Sequence, residues 1–171
     1  MAEEDTMTQP ASITDRLNKM INHIANSGSI DISTPDYDNI RNFLYLWNLF
    51  EKEFFQTNYA QHKGNAKSIQ TNSETFSTLA YFQGVYANNP TRFNGLNFRN
   101  SQHSTFITNV LSGVISDESS ITKAVIAIIY RYRCNLFHGT KEIQSLWKQK
   151  DNFVHANKYM LACLEAKLGI K

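Results

Sequence analysis

The sequence predicts an all-α bundle of five or six helices, and three observations carry that prediction. Only seven Gly and three Pro stand among 171 residues, too few for the frequent tight turns of a sheet protein. Apolar residues recur at three- and four-residue spacing in one segment after another. Residues 124–130 are apolar at every position, so the helix carrying them should be apolar on all sides and form the buried centre.

Taken in order, residues 1–11 are polar and acidic around Pro10 and are expected to be a disordered tail. Residues 12–171 then form a single helical domain. Ser12 or Thr14 caps a first helix whose apolar positions are Ile13, Leu17, Met20, Ile21 and Ile24, and the polar residues 26–29 end it. Ser33 or Thr34, then Pro35, Asp36 and Asp38, start a long helix reaching about Tyr59. Its stripe is Ile40, Phe43, Leu44, Trp47, Phe50, Phe54 and Phe55. Residues 61–71 are polar and hold Gly64, which predicts a loop. Ser73 and Glu74 open a third helix with Phe76, Leu79, Phe82 and Val85 inward, ending before Asn88-Asn89-Pro90. Residues 91–100 predict an irregular segment. Residues 101–116 predict a helix with Phe106, Ile107, Val110, Leu111 and Val114 inward. The acidic and serine residues 117–120 cap the central helix, 121–137, and Gly139 suits its left-handed end. A last helix over 143–168 places Leu146, Phe153, Ala156, Met160, Cys163, Leu164 and Leu168 inward.

Composition excludes several classes. No apolar run approaches the ~20 residues that cross a bilayer, so no membrane partner is expected. The first residues are acidic without an apolar centre, so no secretory signal is read. Cys134 and Cys163 lack paired spacing, which points to reduced thiols of a cytoplasmic protein. With no CxxC, HExxH or carboxylate cluster, neither a metal nor a cofactor is expected. The net charge of +2 hides an asymmetry. Residues 1–118 carry eight Lys/Arg against twelve Asp/Glu, whereas residues 119–171 carry nine against three. The basic part is where a polyanion would be received.

That basic part contains the most informative stretch, Arg131-Tyr132-Arg133-Cys134-Asn135-Leu136-Phe137-His138-Gly139-Thr140-Lys141. Arg133 offers a fixed cationic fork for a phosphate, and His138, at the helix end, can exchange a proton near neutral pH. Together they suit cleavage of RNA without a metal. Arg131 and Lys141 flank the pair as candidate phosphate contacts, and Asn135 is a candidate to orient the histidine or the phosphate. A single Arg–His pair supplies one proton-transferring group, whereas transesterification gains from a base and an acid. A symmetric homodimer would bring two histidines into one cleft.

Arg-Cys-Asn-Leu-Phe-His-Gly resembles the signature of HEPN domains, whose ribonuclease members carry Arg, four to six residues, then His. The resemblance implies a compact α-helical domain that dimerises face to face, the two motif helices meeting in a cleft. It implies metal-independent endoribonuclease activity in toxin–antitoxin, abortive-infection or antiviral defence, with RNA as substrate and an antitoxin or defence-system protein as a further partner. The family's functional residues fall on Arg133 and His138. Many members have a polar residue directly after the arginine; here Cys134 holds that place and Asn135 follows. One subgroup carries a modified Tyr two positions after the histidine, where this chain has Thr140.

A second reading is a HEPN-like module that dimerises, or holds a partner or nucleotide, without cutting. An arginine at a helix end can also simply pair with an acid, and Glu51 on the second helix is the expected candidate. His155 on the last helix is a candidate second basic group.

Overall fold

The computed structural model describes residues 35–137 and 148–170. Among these are seven α-helices, one 3-10 helix and no strand, so the chain is all-α as the periodicity predicts. The expected first helix near residue 12 lies outside the described residues, as do the tail before it and the expected start of the last helix at 143.

Helix α1 spans Pro35–Phe55 and begins on a proline, whose fixed φ and missing N–H are tolerated in a first turn. Its buried face carries Phe43, Trp47, Phe50 and Phe55, while Tyr45 and Leu49 face out. The helix stops at Gln56 and Thr57, two consecutive non-glycine residues with φ of 50° and 67°. Thr57 N–H donates back to the Glu51 carbonyl at 3.2 Å, closing the end.

Asn58 caps the four-residue α2, Tyr59–His62, by accepting from the Gln61 N–H. A 3-10 helix, Lys63–Ser68, follows where a loop was expected. Its polar sequence has no helical period, and a tertiary tie, Asn65 Nδ2 to the Phe54 carbonyl, holds it. Ala66 and Ile69 are buried beneath it.

Helix α3, Ser73–Tyr86, opens with a reciprocal capping box between Asn72 and Thr75. Leu79 and Phe82 point inward as expected; Phe76 is exposed, and Thr75, Thr78 and Tyr86 take the buried positions. A short helix α4, Pro90–Asn94, replaces the start of the expected irregular segment, because the Asn89 side chain caps the Arg92 N–H and Pro90 fits the first turn. Helix α5 spans Ser101–Leu111 and is capped by Asn100. It ends earlier than predicted because Gly113 turns the chain at φ 78°. Val114 beyond it is therefore exposed rather than inward.

Helix α6, Glu118–Phe137, is the centre of the molecule. Asp117 Oδ1 accepts from the Ser120 N–H to start it. Ile121, Thr122 and every residue from Ala124 to Ile129 are buried. Helix α7, Lys150–Leu168, packs along the length of α1 and against α3, and ends on Gly169 in the left-handed region. Lys167 Nζ donates to the Glu53 carbonyl and lies over the Phe54 ring, tying the far ends of α7 and α1 together. Both cysteines are buried free thiols. No helix among the described residues is long and apolar enough to cross a membrane.

Candidate functional site

The last two turns of α6 carry the motif, and the helix divides its polar residues between two faces. Positions 131 and 135 are one turn apart and look the same way. Positions 130, 133 and 137 form another stripe.

Arg131 is buried, only 9% exposed. Its Nε donates to the Leu96 carbonyl at 2.7 Å. Asn135 is 8% exposed, and its Nδ2 donates to the neighbouring Gly95 carbonyl at 3.2 Å. Both residues thus clasp the Gly95–Leu96 turn that follows α4. This differs from the sequence-based expectation, which put Arg131 on a surface facing RNA and gave Asn135 to the histidine or the phosphate. The reason is tertiary: the segment after α4 folds over this face of α6 and its carbonyls require donors.

Arg133 is half-buried, and its guanidinium carbon stands 4.9 Å from the centre of the Phe137 ring. Among the described residues it forms no ion pair with a carboxylate. Phe137 is 63% exposed. Tyr130, on the same stripe, packs its ring against Tyr59 and Trp47. Burial is the main cause that pushes the Tyr130 hydroxyl above its ordinary range, with Cys134 adding to it and Arg133 and Arg131 opposing. A cation against an exposed aromatic ring at a helix end suits a phosphate on its donors and a base against the ring.

His138 and Lys141 lie outside the described residues, as do Gly139 and Thr140. His138 directly follows Phe137, the last residue of α6.

Glu51 does not pair with a motif arginine. One carboxylate oxygen accepts from Trp47 Nε1 at 3.0 Å and the other from the Tyr59 N–H at 2.9 Å. It braces the aromatic cluster on which Tyr130 rests. His155 stacks on Tyr81, ring centres 3.9 Å apart, and burial holds its pKa below the ordinary histidine value. His103 is half-buried beside Phe98; burial, then Lys63 and Arg131, lower its pKa. Tyr130 is the member of the Arg133 stripe that sequence reasoning missed. Its place three residues before Arg133 is the only signal, and it is hidden at the end of an apolar run.

Among the described residues no three His, Cys, Asp or Glu side chains gather as a metal site. Comparison of the chain with protein-family profiles, with curated proteins and with solved structures finds no match.

Proposed function

We propose that this protein is a HEPN-type, metal-independent endoribonuclease that acts as a homodimer in the cytoplasm, in a toxin–antitoxin or antiviral-defence setting. The observation that carries the reading is Arg133. Its guanidinium meets no hydrogen-bond or ion-pair partner among the described residues, whereas that of Arg131 donates to the Leu96 carbonyl, and it stands beside an exposed aromatic ring one turn before His138. The neighbouring Arg131 is buried and donates its Nε–H to a backbone carbonyl, which leaves Arg133 the more accessible of the two.

In the proposed reaction a ribose 2′-oxygen attacks the adjacent phosphorus and the bond from phosphorus to the 5′-oxygen breaks. His138 of one protomer accepts the 2′-hydroxyl proton, and its mate protonates the departing 5′-oxygen. Arg133 holds the non-bridging oxygens and stabilises the charge that develops on them. Lys141 steers the strand. The products end in 2′,3′-cyclic phosphate, or 3′-phosphate after hydrolysis, and DNA resists because it lacks the 2′-hydroxyl.

Labelled RNA incubated with purified protein in EDTA tests this directly. Wild type should cleave, and His138→Ala and Arg133→Ala should each lose about 10²-fold or more of the rate. Equal cleavage by wild type and His138→Ala, or cleavage that depends on added metal, would overturn the reading. An RNA-binding protein that cuts nothing under any condition would return it to a binding module.

A further inference from the structure

The two motif arginines are held by different means. Arg131 donates its Nε–H to the Leu96 carbonyl at 2.7 Å, which fixes its guanidinium and occupies a donor. The guanidinium of Arg133 meets no hydrogen-bond or ion-pair partner among the described residues. A long side chain in that state turns over several rotamers. A fork that must meet two phosphate oxygens at once works only from one position.

One contact restrains it. The guanidinium carbon stands 4.9 Å from the centre of the Phe137 ring, four residues further along the same helix. Long side chains of a helix lean toward its N-terminus, so residue 137 covers the turn that carries residue 133. Arg131 and Asn135 tie that turn to Leu96 and Gly95, which keeps the helical register between the pair. Tyr130, three residues before Arg133, packs its ring on Tyr59 and Trp47 instead, with centres 4.5 and 5.8 Å away. Phe137 has no ring neighbour among the described residues and is 63% exposed.

The kind of contact matters chemically. A carboxylate would fix a guanidinium by taking up its N–H donors and cancelling its charge. A ring face attracts the cation through its quadrupole and takes none of the five donors. We propose that Phe137 is the positioning residue of Arg133: its ring holds the guanidinium in one place and leaves the charge and the N–H edge for the RNA phosphate. In this role Phe137 touches no reacting atom. The inference rests on the reading of Arg133 as the group that holds the scissile phosphate.

Phe137→Leu removes the ring and keeps an apolar side chain that is a better helix former, so the helix end is retained. Phe137→Tyr and Phe137→Trp keep a ring face. In NMR spectra of the full chain, the Arg133 side-chain signals are assigned by their loss in Arg133→Lys. They should stand upfield of those of the other arginines, displaced by the ring current. They should return to the ordinary position in Phe137→Leu and stay displaced in the Tyr and Trp variants. In RNA cleavage, kcat of Phe137→Leu should fall about fivefold, the size of a cation–π contact at a partly exposed site. KM should stay within about twofold, as when an interaction made in the transition state is lost. The Tyr and Trp variants should restore the rate, and Phe137→Leu in an Arg133→Ala background should change nothing further. Arg133 signals unmoved by Phe137→Leu overturn the proposal. So does full kcat in that variant when wild type cleaves and His138→Ala does not. A raised KM with kcat intact also overturns it, because the ring would then serve only to stack a base on its free face. If wild type cleaves no RNA, the ribonuclease reading fails, and the NMR shifts alone decide whether Phe137 holds Arg133.

Discussion

Replacing Arg131 removes a buried guanidinium from the Leu96 carbonyl, so Arg131→Ala should lower stability by about 2 kcal/mol in chemical denaturation. Arg133→Ala should change stability by less than about 0.5 kcal/mol while removing activity, because its donors meet no carboxylate among the described residues. The reverse pattern would exchange the roles assigned to the two arginines. Sequence alone did not separate them. They are two residues apart, hence on nearly opposite sides of a helix, but which side is roofed over depends on a turn some 35 residues earlier in the chain. The same turn places Asn135, whose Nδ2 donates to the Gly95 carbonyl. Histidines give a pH dependence at this scale. Burial, with Lys63 and Arg131, holds His103 below its ordinary pKa, so the unfolded chain takes up that proton at a higher pH than the folded one. Protonation therefore favours unfolding, and stability should fall as the solution is acidified through about pH 6.5. His155, lowered mainly by burial, acts in the same direction. Thermal melts from about pH 7.5 to about pH 5.5 should show a falling Tm, and His103→Gln should flatten the slope. A Tm that rises on acidification over that window would refute the assignment.

Among the elements, the ends of α1 and α7 make a matched comparison. Thr57 holds a φ of 67° with a β-branched side chain, in a region that L-residues enter at a cost of roughly 1 kcal/mol or more. Its hydroxyl bonds the Gln56 carbonyl and relieves part of that. Thr57→Gly should consequently stabilise the fold by up to about 1 kcal/mol. Gly169 takes nearly the same φ, 65°, with open space where a Cβ would sit. Gly169→Ala should cost about 1 kcal/mol for the backbone alone. A thermal melt of each variant decides both, and a stabilising Gly169→Ala would contradict the backbone argument. What the sequence revealed about elements follows the same logic. The unbroken apolar run made α6 legible as the core, and Phe43, Trp47 and Phe50 made the inward face of α1 legible. Phe76 and Val114 keep the spacing of their stripes and still face out, because Thr75 and Thr78 take the buried positions of α3 and Val114 falls beyond the turn at Gly113. The 3-10 helix at Lys63–Ser68 was invisible because its order comes from Asn65 reaching the Phe54 carbonyl, a contact made across a turn.

For the whole molecule, the proposed reaction requires two histidines, so sedimentation at micromolar concentration should find a dimer. Activity should fall on dilution below its dissociation constant. A strictly monomeric enzyme that still cleaves RNA would sink the two-histidine scheme while leaving the role of Arg133 standing. The candidate site was legible in part: Arg133 near the exposed end of the core helix could be read from period and charge, whereas the burial of Arg131 and Asn135 beneath the Gly95–Leu96 turn has no signal in the local spacing. The clasp of Arg131 and Asn135 on the Gly95–Leu96 turn also bears on mechanics. Helices ordinarily fray from their last turn, where carbonyls lack internal partners. Here two side chains splint that turn to another segment, so fraying should halt at about Asn135. Phe137 and the Arg133 beneath its ring are thereby carried on a helix end that keeps its shape.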